Sequence, residues 1–411
     1  MNPRAAERLA SNALDCLRET IRAVGEGRPA DQTIFALYRA HPNWGSRDRR
    51  FISQLVFSFF RWRGWLAELE LNLAASLAYS LDSNEPHIAQ TAIAGHEMPA
   101  WHGLSVAEKM AALGAKIGKT LTHEMLVPDW LTTEVVASER ECKDLIESFQ
   151  TRPPTWVRAC EGHVDEVLAA LQEHEAAPRR HDRIANAIAC EGGVNFQEIR
   201  KQIGLFFEVQ DIASQAVGLI CAPKPGERWL DVCAGSGGKS LHLADLMRNR
   251  GEIVATDVRA SALEQLAKRA EKSGYNIIHP LPRDTDPDGE FDGVLVDAPC
   301  SGIGTWSRNP DMRWRTAAQT VHKCAKQQIE ILLHAAGFVK PGGTLSYSVC
   351  TITRAETTDI VENFLAARND FEPSEFRDPL MAIHPPSSVL TLLPSDGPGD
   401  GMFIAKFRRK P

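Results

Sequence analysis

No apolar run in this 411-residue sequence approaches the roughly 20 residues that a helix needs to cross a bilayer, so no membrane-spanning helix is expected. The opening Met1-Asn2-Pro3-Arg4-Ala5-Ala6-Glu7-Arg8 has no apolar core of the secretory kind, and a cytoplasmic location is expected. The nine cysteines never fall in C-x-x-C pairs, which argues against a structural zinc site and against a disulfide framework; no metal is expected, and a reducing compartment fits. Internal repeats and low-complexity tracts are missing too, which excludes a solenoid. What is present is ordinary globular material. At 43% hydrophobic the chain can bury sizeable cores, and its length predicts two or three domains.

Lysine is absent from residues 1–80, which hold eleven arginines against eight acidic residues. The chain as a whole carries a net charge of −7, so the basic excess is local. Arg47, Arg49, Arg50, Arg61 and Arg63, with Trp62 and Trp65, form the densest mixture of guanidinium and aromatic groups. Arginine binds phosphate bidentately and stacks on bases, so the cluster reads equally as an RNA contact or, with Asp48 among it, as a solvated helix face.

Apolar residues at helical spacing (Leu9, Ala13, Leu17, Ile21; then Phe51, Leu55, Phe59) and a lack of strand alternation predict an all-α domain over 1–120. Residues 131–149 also read as helical. Strands at Thr155–Ala159 and Ala185–Ala189 around a helix at Val164–Leu171 predict a small α/β unit over 126–204. From 205 to 411 strands and helices alternate regularly: strands at Arg228–Val232, Glu252–Asp257, Ile277–Ile278, Phe291–Asp297, Thr344–Val349 and Met402–Phe407, with helices at Lys239–Arg248, Ser261–Ser273, Ala317–Val339 and Asp359–Ala367. That alternation predicts an α/β, doubly wound and mostly parallel sheet.

Cys233-Ala234-Gly235-Ser236-Gly237-Gly238-Lys239 follows the first of these strands and opens a helix. Glycines allow close backbone approach, and the helix start offers free N–H groups to a ligand. Asp257 ends the next strand, where an acid can accept both hydroxyls of a ribose. Gly238-Lys239-Ser240 mimics the end of a P-loop, but Cys233 stands where that motif requires glycine. A nicotinamide loop normally has a third glycine where Ser240 stands. Two thiols lie downstream, Cys300 in Asp297-Ala298-Pro299-Cys300-Ser301-Gly302 and Cys350 in Tyr347-Ser348-Val349-Cys350-Thr351. Each follows a strand, so both are expected at the carboxyl edge of the sheet, beside Asp297. Cysteines are more often packing residues than nucleophiles, but the polar turn around Cys300 and the hydroxyls around Cys350 point to a reactive pair. An adenosine cofactor that donates methyl groups fits this combination better than a hydride carrier.

These motifs resemble the RsmB/Nop2/Sun family of RNA cytosine-5 methyltransferases over about residues 125–411. Val209-Gln210-Asp211-Ile212-Ala213-Ser214-Gln215, Pro341-Gly342-Gly343 and Gly401-Met402-Phe403-Ile404-Ala405 extend the resemblance. The helical start is similar to the NusB-like domain of the bacterial branch that acts on small-subunit ribosomal RNA. Departures are Gly235-Ser236 for alanine-proline, Val349 and Thr351 for the threonine and serine that flank the nucleophile, and Glu356-Thr357 for glutamate-asparagine.

The resemblance implies a Rossmann-like, class I S-adenosylmethionine-dependent methyltransferase sheet, preceded by the NusB-like domain and an RRM-like α/β unit. It implies Cys350 as the nucleophile on carbon 6 of cytosine and Cys300 as the residue that assists release. Residues Cys233 to Lys239 would cradle the methionine end of S-adenosylmethionine, Asp257 the ribose and Asp284 the adenine amino group; as residues, Asp284 and its neighbours read equally as a solvated acidic loop. Asp297 is assigned to the N3 and N4 edge of the base, where a carboxyl group can donate or accept. Arg308, Arg313, Trp306 and Trp314 read either as lining an RNA channel or as a packed loop. The expected partner is RNA, ribosomal RNA first, at an unpaired cytosine, since extrusion from a stack costs a few kcal/mol. A monomer is expected. The rival readings are a transfer-RNA methyltransferase and a non-catalytic ribosome assembly factor.

Overall fold

A computed structural model of the chain describes residues 2–411 apart from 84, 136–138, 192–193, 204–206, 283–284 and 382–384. The chain divides into two units: Met1–Arg152 with Thr305–Ala318, and Pro153–Gly304 with Gln319–Pro411.

The first unit is built from α1 (Pro3–Gly25), α2 (Ala30–Ala40), α3 (Ser46–Leu66), α4 (Leu71–Asp82), α5 (Ile88–Ala94), α6 (Val106–Ile117), α7 (Leu131–Glu134) and α8 (Glu139–Ser148). Local chemistry sets the helix starts. The Asn2 side chain accepts from the Ala5 N–H at 2.8 Å with Pro3 in the first turn, and Ser105 and Glu108 cap α6 reciprocally. Leu9, Ala13 and Leu17 are buried on α1, as their spacing requires. On α3, Phe51, Ile52, Leu55, Val56, Phe59, Phe60, Trp62 and Trp65 are buried nearly all round, which makes it the central helix of its unit.

Two surface readings fail in this unit. Arg61, Trp62 and Trp65 form no solvent face, because all three are buried. Arg61 pairs with Asp82 at 3.0 Å and donates to the carbonyls of Phe149 (3.1 Å) and Ser307 (2.8 Å). Only Arg47 and Arg50 of the cluster are exposed. The segment after Cys300 is likewise packed for the most part. Trp306 and Arg313 are fully buried, and the Trp314 indole N–H donates to Phe60 O at 2.7 Å. Arg313 donates to Leu126 O at 2.7 Å and Phe149 O at 3.2 Å. A guanidinium tolerates such a site because its fork of donors meets several carbonyls at once, though burial, with Arg61 nearby, pulls its pKa down to about 9.

The second unit begins with a small antiparallel sheet of β1 (Thr155–Ala159), β2 (Arg179–Arg180), β3 (Ala187–Cys190) and β4 (Phe207–Val209), ordered β2-β3-β1-β4. With it go α9 (Val164–Glu173) and α10 (Phe196–Ile203), and Val157, Val167, Leu171, Ile188, Ile199 and Phe207 fill the shared core.

The larger sheet contains β5 (Arg228–Asp231), β6 (Glu252–Ala255), β7 (Ile278–Pro280), β8 (Phe291–Asp297), β9 (Val339–Val349), β10 (Phe371–Pro373), β11 (Val389–Leu392) and β12 (Met402–Arg409). Its order is β10-β12-β9-β8-β5-β6-β7, with β11 also paired to β12. The five strands β5 to β9 pair in parallel, and β12 joins β9 antiparallel. The helices are α11 (Ile212–Cys221), α12 (Gly238–Leu246), α13 (Ala260–Lys272), α14 (Ala318–Ala335) and α15 (Thr358–Ala367). Two apolar cores are built on the sheet, one around Trp229, Leu241, Ile253 and Leu266, the other around Val294, Leu332, Leu345 and Phe364.

Strand order reverses at β5, whose neighbours are β6 and β8, and such a reversal opens a crevice at the carboxyl ends of the strands. The helix expected over 317–339 ends at Ala335, and β9 already starts at Val339. The Pro341-Gly342-Gly343 run does not break that strand. Gly342 takes a φ of +77°, and the register against β8 shifts between Phe291 and Gly293, the mark of a bulge.

If Arg313 is structural, Arg313→Met should cost about 2–4 kcal/mol in urea denaturation, because buried carbonyls lose their donors. An arginine lining an RNA channel would leave the denaturation midpoint where it was.

Candidate active site

The loop after β5 shows why its glycines are there. Gly235 has φ +57° and Gly237 φ +90°, and a Cβ on Gly237 would lie 2.0 Å from Leu266 Cδ1 of α13. The backbone is pinned by Ala234 N–H to Thr256 O and by Gly237 N–H to Ala234 O, both 2.9 Å. Ser236 is exposed, and its carbonyl and hydroxyl accept from Arg269. Gly235 N–H donates to Asp257 Oδ2 at 2.8 Å, so the acid at the end of β6 holds the loop directly. Asp257 Oδ1 also accepts from the backbone N–H (2.8 Å) and Nε (3.0 Å) of Arg259. Burial acts to raise the Asp257 carboxyl, and these donors outweigh it and hold it below the ordinary range. Val258, next in sequence, is 65% exposed, an apolar side chain held in the open beside that acid.

Beneath the loop, Asp231 is fully buried. Ser240 Oγ donates to its Oδ2 at 2.7 Å while Oδ1 has no hydrogen-bond partner. Burial pushes its pKa up to about 7. The Cys233 thiol is pushed up by burial and the surrounding carboxylates, so it is not a ready nucleophile.

The two thiols meet. β8 and β9 pair so that Asp297 lies opposite Ser348, and Cys300 Sγ and Cys350 Sγ are 3.2 Å apart. Asp297 Oδ1 accepts from Ser348 Oγ at 2.8 Å and Oδ2 from Lys239 Nζ at 2.7 Å. Burial acts to lower the Lys239 pKa, but Asp297, together with Cys350 and Asp231, outweighs it and holds the ammonium above its ordinary value. The Cys300 thiol is pushed well up, first by its hydrogen bond with Cys350 and then by burial. Cys16, Cys190 and Cys221 are buried elsewhere, with pKa values raised to about 11, 12 and 11. Behind the pair, Gly304 N–H donates to Cys350 O at 3.1 Å and Gly401 N–H to Gly304 O at 2.8 Å. A Cβ on Gly304 would sit 2.1 Å from Gly401 O, so both chain segments close onto the Cys350 backbone.

The structure therefore brings together Cys300, Cys350, Asp297 and Lys239, with the 233–239 loop and Asp257 along the same sheet edge. Asp284 lies outside the described residues. Glu356, which the sequence offered only as the retained glutamate of a family motif and without a role, is fully buried and bonded to both cysteine segments.

This is the sheet and crevice of a class I S-adenosylmethionine-dependent methyltransferase fold, with an all-helical region at the amino end. A family model described as 16S rRNA methyltransferase RsmB/F matches residues 218–408. A probable ribosomal RNA small subunit methyltransferase B of Bacillus subtilis is 32% identical over 314 residues, covering 71% of this chain and 68% of the relative. The ribosomal RNA small subunit methyltransferase B of Klebsiella pneumoniae is 30% identical over 307 residues, covering 72% and 69%. The crystal structure of PH0851 matches 100% of this chain and 99% of its own, with a TM-score of 0.76 at 23% identity. NSun6 from Pyrococcus horikoshii, solved with SFG, matches 66% and 95% with a TM-score of 0.56 at 17% identity. The chain belongs to the RsmB/Nop2/Sun family of RNA methyltransferases.

Asp231 generates a pH dependence. Its carboxyl is raised from 3.8 to about 7 in the fold, so its contribution to stability is full below pH 4 and is lost as pH rises through 7. Thermal melts of Asp231→Asn against wild type should show the variant gaining relative stability between pH 4 and 8. A constant difference across that window would contradict the raised value.

Proposed function

We propose that this protein methylates carbon 5 of an unpaired cytosine in small-subunit ribosomal RNA, using S-adenosylmethionine, through a covalent bond between Cys350 and the base. The observation that carries the reading is the pair of thiols 3.2 Å apart beside an Asp297–Lys239 ion pair at the carboxyl ends of β8 and β9. The choice of substrate rests on the likeness to the small-subunit ribosomal RNA methyltransferases B of Bacillus and Klebsiella.

The loop fits an adenosine cofactor. It offers a glycine cradle, the start of α12, an acid at the end of β6 and an orphaned buried oxygen on Asp231. Cys233 to Lys239 would hold the methionine end and Asp257 the ribose; Asp284 is assigned to the adenine by resemblance alone. When bound, S-adenosylmethionine supplies an electrophilic methyl group.

Carbon 5 of cytosine is a weak nucleophile. The Cys350 thiolate adds to carbon 6, and the electron pair of the 5,6 double bond moves toward carbon 5. Asp297, held by Lys239 and Ser348, meets the N3 and N4 edge of the base. Lys239 also offsets the repulsion that a carboxylate exerts on a neighbouring thiolate. Once carbon 5 is methylated, its proton passes to water, the C–H electron pair re-forms the double bond and the Cys350–carbon 6 bond breaks with its electrons returning to sulfur. Cys300, 3.2 Å from that sulfur, assists this release. The helical unit and the small sheet contribute RNA affinity, with Arg47 and Arg50 as the exposed cations of the basic stretch.

Replacing each thiol should stop the reaction at a different point. Cys350→Ser substitutes a far weaker nucleophile, and neither methylation nor a covalent protein–RNA species should form. Cys300→Ser should trap a covalent species on a denaturing gel when cofactor is supplied. Trapping by Cys350→Ser instead would reverse the roles, and bisulfite sequencing of ribosomal RNA from a deletion strain identifies the cytosine. For the cofactor, Asp257→Ala removes both a ribose acceptor and the tether of Gly235, so calorimetry should show affinity for S-adenosylmethionine falling by roughly 1.5–3 kcal/mol. Unchanged affinity would remove Asp257 from the cofactor site.

A further inference from the structure

Glu356 stands six residues beyond Cys350, fully buried at the turn into α15. Among the described residues no cation pairs with it; its two oxygens accept five hydrogen bonds from neutral donors. Oε1 accepts from Ser301 N–H at 2.8 Å and Gln328 Nε2 at 3.0 Å. Oε2 accepts from Ser301 Oγ at 2.5 Å, Thr353 Oγ1 at 2.9 Å and Thr351 Oγ1 at 3.1 Å. Ser301 follows Cys300 and Thr351 follows Cys350, and their hydroxyls also touch at 2.9 Å. Gln328 extends the contact by donating to Pro299 O at 2.9 Å, and Tyr347 OH donates to Glu356 O at 2.8 Å.

Burying a carboxyl group without a counter-ion is costly, and a fold that only needed packing would place an apolar residue here. What this group gains is geometry. Bonds to charged acceptors are short and directional, and both cysteine segments end on the same carboxylate, meeting at its Oε2. We infer that Glu356 is a positioning residue that clamps the two cysteine loops together and sets the distance between Cys300 and Cys350. It touches neither sulfur; it acts through Ser301 and Thr351. The inference rests on the reading of the two thiols as a working pair.

A trivalent arsenical, p-aminophenylarsine oxide, tests the clamp without any RNA, because tight binding requires two adjacent thiols at once. Wild-type protein should bind one equivalent, and Cys300→Ser and Cys350→Ser should abolish that site. Glu356→Gln keeps the shape but turns one acceptor into a donor facing donors, so its affinity for the arsenical should fall by about tenfold or more. Cofactor affinity should stay near wild type although the melting temperature falls, and Glu356→Asp should restore part of the arsenical loss. If Glu356→Gln does not fold, Thr351→Val and Ser301→Ala each remove a side-chain tether and should weaken arsenical binding in the same direction. Wild-type affinity in these variants, or a wild-type protein that fails to bind the arsenical, would overturn the clamp. A parallel methylation assay should show a lower rate at saturating RNA with little change in KM. Wild-type protein that methylates no RNA but binds the arsenical in the expected pattern would sink the proposed reaction and leave the clamp standing.

Discussion

Everything in the candidate site hangs on the parallel pairing of β8 with β9. Asp297 faces Ser348 across the ladder; Cys300 comes three residues after the end of β8 and Cys350 directly after β9. Side chains alternate along a strand, so a slip of one residue would turn the Ser348 hydroxyl away from Asp297 and separate the thiols. That register is fixed far from the chemistry, by the bulge at Gly342 and by Val294, Leu345 and Tyr347 in the core. Loops then inherit a precision that they could not generate alone.

The electrostatics follow from the same frame. Asp231, Asp257 and Asp297 end or follow three of the strands, an arrangement that by itself would oppose a thiolate. Lys239, in the first turn of α12, reaches across to Asp297 and supplies the opposing charge. The two thiols also differ in placement: Cys300 follows a proline turn three residues past β8, whereas Cys350 follows β9 directly.

Much of this could be read from the sequence because it is local. The strand Phe291–Asp297 ended where its apolar run ended, and a glycine-rich turn between strand and helix carries its own stereochemical signature. Lys239 was read as part of the cofactor loop; its ion-pair partner lies 58 residues away, and only tertiary structure brings the two together. The failures share that cause. Trp306 and Arg313 sit in a polar-looking segment that left a packed loop and an RNA channel open; the choice depends on distant residues, the carbonyls of Leu126 and Phe149 for Arg313 and the rings of Trp130 and Phe149 for Trp306. Arg61 looked like one more surface arginine until Asp82, Phe149 and Ser307 converged on it. Strands of two or three residues, such as β2 and β10, are too short to show alternation. Glu356 was given no role because a lone glutamate after a strand is normally solvated, and nothing local says that five donors will surround it.

The segment Thr305–Ala318 belongs to the helical unit, although Gly304 and Gln319 on either side of it belong to the other. This has a consequence for how the molecule is made. During synthesis the helices emerge first, but Arg61 must wait 246 residues for Ser307, and Phe149 164 residues for Arg313, to complete their surroundings. The first unit therefore finishes folding only after half of the second has left the ribosome. A fragment starting at residue 153 would carry Trp306, Arg313 and Trp314 stripped of their partners, immediately beyond the cysteine that the reaction needs.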